Sequence, residues 1–268
     1  MSGVLAAASA TTGYVGWLGL AASLSLVGVA LAISVWQNLG LERSLIWASA
    51  RAIVQLLAVG GLLAVVFSPR VPVAVSWIWV AFMIVFAAET IRRRAPEIPG
   101  SRQLALVSLG LASAVALALL FGLGIFPVNA RTVVPLSGMV VGNSLTATVV
   151  AARRLVGELS DKRAEVEARL ALGQSSHQAA RPYVREALRT AMISQVESTK
   201  AVGLVFLPGA MTGLILAGEK PIQAVLVQAA VMFLILGAVA TTAASMALTL
   251  SRRMFTEDHR LVRLVREV

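Results

Sequence analysis

The chain has 268 residues, of which 58% are hydrophobic and only 13% charged, with a mean hydropathy of +0.84 and a net charge of +10. A soluble fold has no outside on which to place that much apolar surface, so composition points to a polytopic membrane protein and away from a soluble nucleic-acid binder. The lack of Cys excludes disulfides and thiolate metal sites.

A helix needs about 20 mainly apolar residues to cross the hydrocarbon core. Seven stretches qualify, at 14–36, 45–67, 71–91, 104–126, 133–152, 200–218 and 221–250. No basic region precedes the first, so no cleavable signal peptide is expected. Breakers mark the junctions at Ser68-Pro69, Pro96 to Pro99, Pro127 and Lys220-Pro221. The expected fold is therefore an all-α polytopic membrane protein, one transmembrane domain over 1–268.

Seven spans put the connecting loops on alternate sides, and the basic residues then test the topology. Nineteen of the 23 Lys and Arg fall in the first, third and fifth loops and the C-terminal tail; Arg70, Arg131 and Lys220 fall opposite, and Arg51 lies inside the second span. By the positive-inside rule the N-terminus is expected outside and the C-terminus in the cytoplasm; the expected location is the cell inner (plasma) membrane, with several crossings.

In chain order, the second span carries Arg51 and Gln55, four residues apart and so on one helical face. Arg51 either snorkels to the cytoplasmic headgroups or has a structural role inside the bundle. Glu89 in the third span is adequately explained by pairing with Arg92 and Arg93. The fifth span is the most polar, with Asn143, Ser144, Thr146 and Thr148. Gly138 and Gly142 there, like Gly209 and Gly213 in the sixth, are spaced for close helix packing.

The fifth loop, 153–197, is the longest polar segment. Leu155, Leu159, Val166 and Leu170 continue the fifth span outward as a helix. Gly173 suits a C′ position, Ser175 or Ser176 can cap a short lateral helix, and Pro182 is expected to open a returning one. Together these make a compact cytoplasmic knob.

The sixth span begins with Glu197 and Lys200, which either form a helical ion pair or give Glu197 a gate or metal-entry role. Pro208-Gly209 breaks the helix in mid-span, which is tolerated only beside protein or a cavity. The translocation path is therefore expected between spans five and six, with Met139, Asn143, Ser144, Glu197, Pro208, Gly209 and Met211 as its residues. The two histidines, His177 and His259, are far apart in sequence, and no His, Cys or Asp cluster has metal-ligand spacing, so the residues that hold a metal are left open.

Four blocks carry a family resemblance: "RAIVQLLAVGGLL" in the second span, "SGMVVGNSLTA" in the fifth, "ARLALGQSSHQAARPYVREALRTAM" in the loop, and "VESTKAVGLVFLPGAMTGLILAGEKP" around the sixth. Together they resemble the iron-export ABC transporter permease family (bacterial Fet-type permeases), whose plant relatives are aluminium-resistance permeases linked to UDP-glucose transport. Glu167-Ala168 followed by Gly173 is similar to the E-A-A-x-x-x-G coupling loop of ABC permeases, with Arg169 in place of the second Ala. Ala210 and Ser194 also depart from the family's usual Met and Pro.

The resemblance implies a permease homodimer in the lipid bilayer, driven by a separate ATP-binding subunit. That subunit would bind ATP and Mg, this chain none; it has no G-x-x-x-x-G-K-[ST] motif and no Ser/His/Asp arrangement suited to hydrolysis. Glu167, Ala168, Gly173, Gln174, Ser175 and Pro182 would couple the two. The cargo stays open among iron, another metal and a nucleotide sugar, as do its direction and any periplasmic partner. The competing class is an ion-driven secondary transporter or channel without an ATPase, for which the knob would have no purpose.

Overall fold

The computed structural model describes residues 16–262 apart from Pro99, Glu257 and His259. The start of the first span, the side taken by the N-terminus, His259, and the basic tail residues Arg263 and Arg266 lie outside the described residues. Those described form α1 Trp17–Trp36, α2 Glu42–Val66, α3 Ala74–Arg94, α4 Ser101–Gly122, α5 Ala130–Asp161, α6 Arg163–Ala171, α7 Ser176–Ala201, α8 Gly209–Leu216 and α9 Pro221–Arg253. Among them there is no β-strand, only two isolated bridges. Six helices, α1 to α5 and α9, are long and apolar enough to cross a membrane.

The remaining expected crossing, 200–218, is not one helix. α7 stops at Ala201, Val202 is extended, and Gly203 takes a left-handed φ of +87°. Its N–H donates to the Phe206 carbonyl at 3.0 Å, closing a small irregular turn before Pro208 and the eight-residue α8. Pro208 alone marks a break in the sequence; Gly203, free to adopt positive φ, begins it five residues earlier.

The chain forms two compact units. One holds 16–71 and 212–221. In it α1 and α2 form a hairpin through Asn38 and Gly40, both at positive φ. The Ser34 hydroxyl donates to Glu42 Oε1 at 2.6 Å and accepts from the Leu41 N–H at 3.2 Å. Among the described side chains of these two helices only Ser34 and Val66 are buried, and side chains such as Leu56 stand 73% exposed. Such a surface suits lipid or another protein, not water. Arg51 and Gln55 lie on it, both exposed.

The other unit is built on α5. This helix of 32 residues is about 48 Å long at 1.5 Å per residue, well beyond a ~30 Å hydrocarbon core. Asn129 starts it with a capping box to Thr132. α9 runs parallel to α5: Leu136 clusters with Val231 and Ile235, Val140 with Ala238, Ala151 with Ala243, and Leu155 and Leu159 with Met246 and Leu250. Gly138 lets α3 approach closely, since a Cβ there would lie 3.0 Å from Met83 Cε. Buried hydroxyls at membrane depth bond back to their own helix, Thr148 to the Ser144 carbonyl and Thr242 to that of Ala238.

The largest core lies at one end of this unit. It joins Ala95, Ile98 and Leu104 around the α3–α4 connection with Leu155 and Leu159, Val166, Tyr183 and Ala187, Leu250, Met254 and Leu261. The third loop, the fifth loop and the C-terminal segment, assigned to one side by their charge, thus share one core. Arg153 ties the first two together through Glu97 at 3.0 Å.

Candidate functional site

The knob is a helix–turn–helix made by the outer end of α5, α6 and α7. α6 ends in a Schellman motif: the Gly173 N–H donates to the Leu170 carbonyl at 2.9 Å and the Gln174 N–H to that of Arg169 at 3.2 Å, with Gly173 at φ +85°. Ser175, not Ser176, is the cap of α7. It makes a reciprocal capping box with Gln178. Pro182 opens no helix, contrary to expectation, because it lies seven positions into α7, which runs unbroken from Ser176 to Ala201. The strong cap upstream starts the helix, and Pro182 forfeits only one backbone bond, to Gln178. The expected lateral and returning helices are one.

Four of the expected coupling residues, Glu167, Gly173, Gln174 and Ser175, line a single open groove of about 750 Å3. Its other wall is the C-terminal segment, through Asp258, Arg260 and Leu261. Ala168 is exposed outside the groove, and Pro182 is exposed on α7. The C-terminal segment is held by structure invisible in a helical pattern. Phe255 and Leu261 form an antiparallel bridge, the Thr256 N–H donates to the Arg260 carbonyl, and Leu261 is buried. Arg163 donates from Nη2 to the Leu261 carbonyl at 2.8 Å.

One residue of the knob was missed from sequence. Leu172 stands 82% exposed at the turn beside Gly173, a large apolar side chain presented to water. Its signal was available, because it falls off the Leu155–Leu159–Val166–Leu170 stripe while remaining apolar.

Charges stiffen the knob. Glu158, the most buried carboxylate of the ion pairs here, is held by Arg154 at 2.6 Å and Lys162 at 2.8 Å. Lys162 also sits 5.7 Å from the centre of the Tyr183 ring. Arg169, bonded to Glu165 at 3.0 Å, holds that carboxyl below the usual carboxylate range. Burial, reinforced by Glu165, pushes the Tyr183 phenol up.

A second site lies between α5 and α7, with Val239 of α9 as its back. Gly142, Asn143, Thr146, Thr190, Ser194 and Gln195 are among the residues lining this cavity of about 270 Å3. The Asn143 Nδ2 donates to the Met139 carbonyl at 2.7 Å, which leaves its Oδ1 to the cavity. Unlike Gly138, Gly142 has open space where a Cβ would be.

Of the expected path residues, Asn143 alone lines this cavity. Ser144 is buried, with its hydroxyl unpartnered; Met139 packs against the core that contains Leu136 and Val231; Pro208, Gly209 and Met211 lie outside it. Thr190, Ser194 and Gln195 take the place opposite Asn143, because α7 enters the bundle earlier than its hydropathy suggests. Glu197 pairs with Lys200 at 2.8 Å. Glu89 is held by Arg92 at 2.6 Å and Arg93 at 3.0 Å, the local pairing expected for it.

Comparison with known proteins gives a consistent answer. Residues 17–255 match the family described as "Uncharacterised protein family (UPF0014)". The chain is 38% identical to "UPF0014 membrane protein STAR2" of Oryza sativa subsp. japonica over 84% of this chain and 78% of that protein. It is 33% identical to "Protein ALUMINUM SENSITIVE 3" of Arabidopsis thaliana over 90% and 88%. It is 31% identical to "Probable iron export permease protein FetB" of Escherichia coli over 91% and 93%. No solved structure matches the chain.

Proposed function

The chain belongs to the UPF0014 family, and from that premise we propose that it is the membrane-spanning permease subunit of an ABC-type exporter of iron or another metal. ATP and Mg are bound and hydrolysed on a separate ATP-binding subunit, and the permease works as a homodimer in the plasma membrane. The transport role and the metal follow the relative named as an iron export permease. The observation that carries the coupling is the groove at the knob, where Glu167, Gly173, Gln174 and Ser175 come together beside the exposed Leu172.

The knob is rigid in the way a lever has to be. Its core is continuous with α5 and α9, so force applied at Gly173 reaches the membrane through packed helices and not through a loose loop. Seven crossings, with the N-terminus outside and the C-terminus cytoplasmic by the distribution of basic residues, is the topology proposed, and the parallel packing of α5 and α9 fits a return crossing between them. Parallel neighbours require the intervening chain to traverse back, and α7, packed beside α5, begins that return. The cavity at Asn143 then lies on the transport path between α5 and α7.

Reconstitution in vesicles together with an ATP-binding subunit tests this. ATP-dependent movement of iron(II), absent without the subunit, is the expected result. A flux that persists without ATP or the subunit, driven by an ion gradient, would place the chain among secondary transporters.

A further inference from the structure

On the outer part of α5 and on α6, charges four residues apart are opposite in sign and paired: Arg154 with Glu158, Arg163 with Glu167, Arg169 with Glu165. α7 departs from that pattern. Arg181, Arg185 and Arg189 follow one another at spacings of four, all exposed along one shallow groove, and none is paired with a carboxylate among the described residues. Glu186 lies on the flank of the same groove and holds none of them. Like charges at this spacing destabilise a helix, so the row is unfavourable unless an anion from outside lies along it.

The packing of α7 sets the depth of the row. Ala191 clusters with Ala151 and Ala243, and Ala187 with Leu155 and Leu159, so α7 runs antiparallel to α5. Ala151 lies at the end of the apolar stretch 133–152, just before Arg153 and Arg154, which puts Ala191 level with the edge of the hydrocarbon. Arg189 then stands about 3 Å outside that edge, Arg185 about 9 Å and Arg181 about 15 Å. Headgroups fill roughly the first 5–7 Å beyond the hydrocarbon, and the field of an anionic surface reaches about 8 Å further at physiological salt. Arg189 is therefore among the phosphates, Arg185 within side-chain reach of them, and Arg181 in their field.

The row also points the right way. Ala187 and Ala191 turn to the core, and the arginines occupy the opposite side of the helix. One more step of four, about 3 Å inside the edge, brings Ile193, 55% exposed. Arginine gives way to an exposed aliphatic side chain at the level where headgroups give way to acyl chains. Pro182, Val184 and Leu188 supply an apolar floor to the groove, which has a volume of about 640 Å3.

We infer that this face of α7 binds an anionic phospholipid of the cytoplasmic leaflet, its phosphate held by Arg185 and Arg189, its acyl chain on Ile193, with Arg181 drawing it in. The side of the membrane rests on the permease reading. A second copy fits the face poorly, because a two-fold interface there would bring like charges together. An ATP-binding subunit docked at Gly173 is remote from the inner rungs, since Arg189 lies about 21 Å along α7 from Ser175.

The test titrates the purified full chain in mild detergent with phosphatidylglycerol or phosphatidylcholine, reading the thermal midpoint and the lipids retained in native mass spectrometry. Phosphatidylglycerol should raise the wild-type midpoint and remain bound, and phosphatidylcholine should do neither. Each arginine near an anionic surface contributes about fivefold in affinity. Arg185→Gln/Arg189→Gln should therefore bind phosphatidylglycerol at least tenfold more weakly while keeping the lipid-free midpoint, because neither side chain has a partner to lose. Arg94→Gln, which removes an unpaired arginine outside the row, should bind as the wild type does. A double variant that binds phosphatidylglycerol like the wild type overturns the inference, as does a wild type that responds equally to both lipids. So does glycerol phosphate alone matching the lipid, or Arg94→Gln losing as much as the double variant. Capture of an ATP-binding subunit is scored separately, so that lipid binding dependent on Arg185 and Arg189 without capture supports the site while removing the ABC reading.

Discussion

Arg163 joins the start of α6 to the far end of the chain, donating from Nη2 to the Leu261 carbonyl at 2.8 Å while its Nε holds Glu167 at 2.6 Å. A single guanidinium thus ties the coupling turn to the C-terminal segment that walls the same groove. Replacing it with Met should loosen both at once. We expect faster amide exchange across 163–173 and 254–262, corresponding to about 1–2 kcal/mol of lost local stability. Exchange confined to one of the two segments would show that they are not linked through Arg163.

Gly173 has open space around its missing Cβ but a φ of +85°. Substitution there is therefore a backbone problem, costing about 1–2 kcal/mol for an ordinary residue and less for Asn or Asp. Gly173→Asn should fold and couple almost normally. Gly173→Asp should fold equally well yet lose ATP-driven transport, because its charge obstructs docking. Equal transport by the two variants would remove Gly173 from the coupling surface.

Leu172 contributes nothing to the core, so Leu172→Ala should leave the thermal midpoint within about 1–2 °C of wild type. If it packs against the ATP-binding subunit, capture of that subunit should weaken several-fold, by about the 1–2 kcal/mol of a buried Leu side chain. Capture equal to wild type, measured by surface plasmon resonance, would make Leu172 a bystander.

Filling the α5–α7 cavity should separate assembly from transport. Asn143→Leu and Ser194→Leu keep the helices apolar and packed, so the complex should still form. Flux should fall by an order of magnitude or more in each. Normal flux in both would take the path elsewhere.

The knob also has a pH signature. Glu165 is held below its ordinary range by Arg169, so its contribution to stability is present above the unfolded carboxylate pKa and is lost as pH falls through the lower folded value. Limited proteolysis near the α6–α7 turn should rise on acidification below the ordinary carboxylate range. Glu165→Gln should flatten that rise, and an identical acid response in the variant would assign it to other carboxylates.

Much of the architecture was legible because hydropathy and charge are summed over many residues. The five long spans before the knob, the outward continuation of α5, and the Gly173 terminus each follow from such patterns. What eluded them is tertiary. Thr190, Ser194 and Gln195 read as the end of a polar loop, and only the register of α7 against α5, set by Ala191 on Ala151, brings them opposite Asn143. Pro182 reads as a helix start until the Ser175–Gln178 box is seen upstream. The C-terminal wall of the groove depends on a carbonyl contact from Arg163, about a hundred residues away in sequence, which no local pattern encodes.

The most direct test of the motor–channel relationship is co-purification of the tagged wild-type chain and Gly173→Asp with an ATP-binding subunit encoded beside it, in detergent and in lipid. Retention of the subunit by the wild type and its loss from a folded Gly173→Asp is the expected result. A well-folded wild type that retains no ATP-binding subunit in either environment would contradict it.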